Sequence, residues 1–153
     1  MKRILIGLAG LLASATAIAV HASAGAGATT YLPAADVTAA FAKGRPLLEV
    51  EGYKIHASRR ETAGQAEVHV RDTDVIYVLE GGATIVTGGT VVAPHTVATD
   101  EVRGTLIEGG DVRTLAKGDV FVVPNGVPHW FKTVQAPLLY YVVKVTAPAG
   151  GTQ

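Results

Sequence analysis

The sequence predicts an all-β sandwich or barrel preceded by one short helix, and the spacing and patterning of its apolar runs carry that prediction. From about residue 47 onward, short apolar runs recur between Gly, Pro, Asn and Asp punctuation. Many strands of four to eight residues at such spacing build a sandwich or barrel. Several runs are apolar on both faces: in "DVIYVLEG", Ile76 and Val78 share one face while Val75, Tyr77 and Leu79 share the other. Finally, the chain has no cysteine, so its stability must come from packing, oligomerisation or a metal rather than from disulfides.

The elements follow in chain order. Lys2 and Arg3 precede an uncharged apolar run from Ile4 to Val20 and then small residues, the pattern of a secretory signal peptide cut after Ala22 or Ala24. A single membrane anchor is the weaker alternative, because the run is short for a bilayer and rich in Ala, Gly and Ser. Residues 1–24 are therefore read as a leader that includes His21, and the mature protein is expected in the periplasm or outside the cell. Residues 25–46 hold a small-residue spacer and a helix over Ala34–Lys43, with Val37, Ala40 and Phe41 at helical spacing and Gly44 and Pro46 as stop signals. Residues 47–146 form the β domain, and 147–153 are a tail. A mature chain of about 130 residues is one domain with room for a real core.

Within the β domain the runs are "LLEVEGYKIHASR", "AEVHVR", "DVIYVLEG", "ATIVTGG", "EVRGTLIEGG", "VRTLAKGDVFVVP", "HWFKTV" and "LLYYVVKV". Glu80, Gly81 and Gly82 read as a hairpin turn and Asp72 as a turn residue. Residues 82–117, between Gly81 and Gly118, are expected to add a strand pair or a lid beside the barrel mouth. A barrel needs only its inner face buried, so strands apolar on both faces need a cover, either the N-terminal helix or a second copy in a homodimer. The 13 basic and 13 acidic residues balance and are scattered, which excludes a nucleic-acid footprint.

The stretch "AEVHVRDTDVIYVLEGG" concentrates candidate ligands ahead of a buried run. Residues two apart on a strand share a face, so Glu67 and His69 project together. Asp74, after the turn at "RDT", and His129, after "KGDVFVVPNGVP", are expected to reach the same point. Two imidazoles and two carboxylates converging on one barrel mouth make a four-ligand site for a divalent metal, with Fe(II), Mn(II) or Zn(II) ahead of Cu. His56 alternates with Ile55 and Ala57 and is the histidine nominated as a catalytic acid or base. Arg59 and Arg60 are positioned to receive a carboxylate or phosphate, with surface salt bridges as the alternative. Trp130, Phe131, Tyr140 and Tyr141 are expected in the core or as apolar walls, and His95 in a solvated loop.

These segments resemble the two motifs of the cupin superfamily. The second motif, Gly, five residues, Pro-x-Gly, two residues, His, is matched in full by Gly118, Pro124, Gly126 and His129. In the first motif, His69, Asp74 and Gly81 stand at matching positions, while Glu67 replaces the usual first histidine and Asp74 the usual glutamate. The resemblance spans residues 47–145 and implies a double-stranded β-helix, or jelly-roll barrel, holding one metal at its mouth. It further implies a small-molecule substrate and chemistry of the oxygenase, isomerase, lyase or decarboxylase type. The alternative is a non-catalytic binding module for a sugar, an organic acid or a metal.

Overall fold

Two long antiparallel strands, β4 (Asp72–Thr87) and β11 (His129–Thr146), run beside each other from the pair His129–Thr87 to the pair Thr146–Asp72 and form the spine of the molecule. A computed structural model describes residues 27–149; the leader expected over residues 1–24 lies outside them, as does the end of the tail. The helix α1 (Ala34–Lys43) spans the expected residues and ends at Gly44, whose left-handed backbone returns an N–H to the Ala40 carbonyl.

Each long strand serves two sheets because each bends in the middle. The inward buried positions of β4 are Asp74, Ile76 and Val78 before the bend and Ala83 and Ile85 after it, a change of phase by one residue, while Gly82 and Val86 are buried on the opposite face. Opposite, β11 buries His129 and Phe131 in its first half and Leu138, Tyr140 and Val142 in its second. The register slips between Gln135 and Leu139, at the cis Ala136–Pro137 peptide. Such a slip is a β-bulge, which turns a strand without ending it. Glu80–Gly82 is therefore not the hairpin expected from the sequence. Gly81 sits at φ 75°, and a Cβ there would stand 2.4 Å from the Pro137 carbonyl, so a glycine is required for the strand to pass.

On the first side of the bend, β1 (Arg45–Val50), β2 (Tyr53–Arg60), β11, β4 and β10 (Val120–Val123) form one layer. On the second side, β6 (His95–Ala98), β7 (Glu101–Gly104), β3 (Ala66–His69), β11, β4 and β9 (Asp111–Ala116) form the other. The core lies between the layers: Ile76, Val78, Ile85, Leu115, Phe131, Leu138, Tyr140 and Val142 pack as one cluster, the jelly-roll arrangement of two curled antiparallel sheets.

Residues 82–117 add two strand pairs. The short strands β5 (Thr90–Val91) and β8 (Ile107–Glu108) cap a second cluster of Ala66, Val86 and Ile107 on the outer side, with Trp130 packed against it. The β6–β7 hairpin extends the second layer from β3, placing His95 on an exposed strand rather than in a loop. On the outer side of the first layer α1 lies against β2 and sets Phe41 edge-on to Tyr141 at 4.9 Å. Beyond the helix, Tyr77, Val120 and Val122 remain exposed.

Asp72 is the first residue of β4 and not a turn residue: it accepts hydrogen bonds from Lys54 Nζ at 2.8 Å and Thr146 Oγ1 at 2.6 Å, tying β2 and β11 to β4. Burial alone would raise its pKa, but these donors outweigh burial and hold it below its ordinary value of 3.8. A depressed carboxylate contributes stability above its unfolded pKa and loses it as pH falls through the folded one. Asp72→Asn should therefore melt below wild type at neutral pH, with the difference closing as pH falls under about 3.8. Thermal melts between neutral pH and pH ~3 measure this; a difference independent of pH would contradict it.

Candidate metal centre

The centre is built by strand geometry on the second layer, at the end of the long ladder away from the bend. Glu67 and His69 project from the same face of β3, and His129 starts β11 directly opposite Glu67. The turn before His129 is fixed by Gly126, whose φ of 77° is left-handed and whose N–H donates to the His69 carbonyl at 2.8 Å. One backbone hydrogen bond thus ties the two histidine-bearing segments together.

One donor atom from each of Glu67, His69 and His129 lies within 4.8 Å of the others. Glu67 Oε2 is 3.8 Å from His69 Nε2 and 3.9 Å from His129 Nε2, beyond hydrogen-bond range. The His129 ring Nδ1 faces the Val127 carbonyl at 3.5 Å, which directs its proton there and turns the Nε2 lone pair toward Glu67. Burial, reinforced by Lys144, lowers the His69 pKa; burial, reinforced by His69, lowers that of His129, and the neighbouring carboxylates offset both only in part. Both imidazoles are therefore held toward the neutral form that ligates metals. Two neutral imidazole nitrogens and one carboxylate at this spacing fit a divalent ion with ligand distances of about 2.0–2.2 Å, after a small contraction of the trio.

Asp74 belongs to a different partnership. It is 4% exposed, and both its oxygens accept from Lys144 Nζ, at 2.7 and 2.9 Å. Its Oδ2 stands 3.5 Å from His69 Nε2, so it borders the trio while bound to a cation. The four residues expected to converge thus form a group of three plus an Asp74–Lys144 pair.

The trio opens into a cavity of about 470 Å³ between the two layers. His56 lines it, with Nε2 paired to the half-exposed Glu49 at 3.0 Å. Arg60 reaches across it: Nε donates to Tyr140 Oη at 2.9 Å, the guanidinium lies 4.6 Å from the Phe131 ring centroid, and Nη2 is 3.7 Å from Glu67 Oε1. Burial would lower its pKa, yet Tyr140 and Glu67 together raise it, so the guanidinium stays charged. Glu101 and Arg103 on β7, paired with each other at 2.6 Å, stand opposite His69 and Glu67 and complete the wall.

Sequence reasoning missed Lys144, Glu101 and Arg103, and assigned Tyr140 to apolar packing alone. A signal existed for Lys144, which alternates in phase with the buried Tyr140 and Val142 and is an inward cation on an otherwise apolar strand face.

The family model described as Cupin matches residues 63–152. No curated protein matches the sequence. Among solved structures, a Bacillus halodurans protein superposes at TM-score 0.55 with 14% identity, over 84% of this chain and 89% of that one. The hydroquinone 1,2-dioxygenase PnpCD, solved with Cd2+ and 4-hydroxybenzonitrile, superposes at TM-score 0.50 with 14% identity, over 70% of this chain. This chain spans 65% of that structure's length. Both likenesses are likenesses of fold.

Because Asp74 is buried against Lys144, removing the cation alone leaves a buried charge. Lys144→Met should cost about 3–5 kcal/mol, and the double variant Lys144→Met/Asp74→Asn should recover most of it. Denaturant unfolding of the metal-free proteins measures both; additive losses would show that the pair is not coupled.

Proposed function

Because the chain belongs to the cupin family, we propose that it is an exported, metal-dependent enzyme of the oxygenase, isomerase or lyase type, acting on a small oxygen-rich molecule at Glu67, His69 and His129. The observation that carries this reading is the convergence of three metal-competent donors within 4.8 Å at the base of an open cavity. A divalent Fe(II), Mn(II) or Zn(II) ion supplies Lewis acidity toward an oxygen group of the substrate. A set of two imidazoles and one carboxylate leaves positions for substrate and a net positive charge at the centre.

The remaining residues take roles set by their partners. Lys144 neutralises Asp74 and holds it beside His69 as an electrostatic neighbour. His56 is the acid–base group, poised by Glu49 on the cavity wall. Phe131, Ile76 and Val142 form the apolar side that limits water around the reacting molecule. The alternative, a binding module for a sugar, an organic acid or a metal, draws on the engagement of His56 Nε2 by Glu49, which leaves that nitrogen less free to exchange protons with a substrate.

Elemental analysis of the purified mature protein tests the centre. One equivalent of Fe, Mn or Zn is expected in wild type and in the double variant Lys144→Met/Asp74→Asn, and about a tenfold or greater loss of affinity in Glu67→Gln and His129→Ala. Full metal retention in both of the latter variants would contradict the ligand assignment. His56→Gln should retain metal and lose turnover; unchanged turnover would favour the binding module. Cleavage of the leader and recovery of the mature chain from the periplasm or medium test export.

The partner is a second copy of the chain, packed through the outer side of the first layer. Val120 is 65% exposed and Val122 50%, beside Tyr77 on the adjacent strand, and isolated domains rarely leave such side chains contiguous in water. Light scattering should give a dimer for wild type and a folded monomer for Val122→Lys; a wild-type monomer would exclude this interface.

A further inference from the structure

We propose that the cavity contains a carboxylate subsite centred on Arg60, so that the molecule it takes is a small acid carrying a second oxygen on the carbon next to the carboxylate. The proposal rests on the metal-centre reading and names its substrate class.

Arg60 is built into the wall rather than lying on it. Tyr140 Oη fixes Nε, Phe131 supports the face of the guanidinium, and Gly64 makes room beside it: a Cβ at position 64 would stand 2.6 Å from Nη1. A planar fork held on three sides is pre-organised for bidentate recognition of a carboxylate. Among the described residues no buried side-chain nitrogen or oxygen lacks a partner; Nε donates to Tyr140, and Nη2 has only the long 3.7 Å approach of Glu67 Oε1. Its Nη groups are therefore not sealed from solvent, and Arg60 lines the cavity.

Charge accounting gives the ligand its sign. The cavity wall carries Arg59, Arg60, Arg103 and Lys144 against Glu67, Asp74 and Glu101. Lys144 is satisfied by Asp74, Arg103 by Glu101, and Arg59 by Glu61 outside the wall. Arg60 alone depends on a member of the trio, Glu67, and only at 3.7 Å. When Glu67 Oε2 serves a cation, the carboxylate shares its charge with that cation, and Oε1, 3.7 Å away, is an incomplete counter-ion for the guanidinium. An anion restores the balance.

Distance gives the ligand its length. The guanidinium and the two imidazoles approach the same carboxylate, at 3.7 Å on one side and at 3.8 and 3.9 Å on the other. A molecule that engages both spans about the width of one carboxylate. A carboxylate on Arg60 with a hydroxyl or carbonyl on the adjacent carbon, facing the trio, has that span. A 2-hydroxy or 2-oxo acid meets the requirement, and its substituent extends toward Ile76 and Val142.

Calorimetric titration of the zinc-loaded mature protein with lactate and with lactamide, its uncharged counterpart, tests this, with zinc stoichiometry read on the same samples. Lactate should bind about tenfold or more tighter than lactamide, the difference a charge-assisted hydrogen bond carries. Arg60→Gln should abolish that preference with zinc content unchanged, and Arg60→Lys, which keeps the charge and loses the fork, should retain part of it. Equal binding of the two molecules to wild type, or an undiminished preference in folded Arg60→Gln or Arg60→Lys, would overturn the carboxylate subsite while leaving the metal centre intact. A folded wild type that takes up no zinc, iron or manganese would overturn the metal centre and this subsite with it.

Discussion

The bend shared by β4 and β11 is the constraint on which the rest of the structure depends. Because both strands change phase by one residue at the same level, one ladder of backbone hydrogen bonds serves two layers. The part of the ladder in the first layer presents Asp74, Tyr140 and Lys144 to the interior, and the part in the second layer presents His129 and Phe131. The cavity exists because the layers diverge from this hinge, and the groups that line it come from both halves. A side chain larger than hydrogen at Gly81 would meet the Pro137 and Gln135 carbonyls and close the route by which β4 crosses between layers.

Electrostatics divides the interior into compensated units. Asp74 with Lys144, Glu101 with Arg103 and Asp72 with Lys54 are paired at hydrogen-bond distance, and each unit joins residues that the strand register sets near one another. Glu67 differs: it has two imidazoles and a guanidinium around it and hydrogen-bond distance to none of them. A carboxylate whose imidazole and guanidinium neighbours all stop short of it is arranged for a shared occupant. Lys144 matters to the same arrangement, because it satisfies Asp74 and leaves a centre with one carboxylate rather than two, hence with more positive charge.

Much of this was legible in the sequence wherever the constraint was local. Gly118 and Gly126 both occupy left-handed backbone, at φ 93° and 77°, so the spacing that ends in His129 is a record of two turns. Glu67 and His69 share a face because of strand periodicity alone, and the helix ended where Gly44 supplied a left-handed cap. The continuity of the long strands was not legible. A glycine at a bulge and a glycine in a hairpin look alike, and the difference lies in whether Gln135 to Leu139 slips opposite. Nor was the fate of Asp74: its spacing marks a ligand position, but Lys144 reaches it from a strand 70 residues away. Residues such as Arg103 and Glu101 enter the wall only through the pairing of β3 with β7, which no local pattern encodes.

Anomalous diffraction from crystals of the metal-loaded protein, collected on both sides of the metal's absorption edge, locates the ion directly. A single peak is expected beside Glu67, His69 and His129, with Lys144 still on Asp74. A peak coordinated by Asp74 with Lys144 displaced, or a fully loaded protein whose ion sits away from these residues, would contradict this placement.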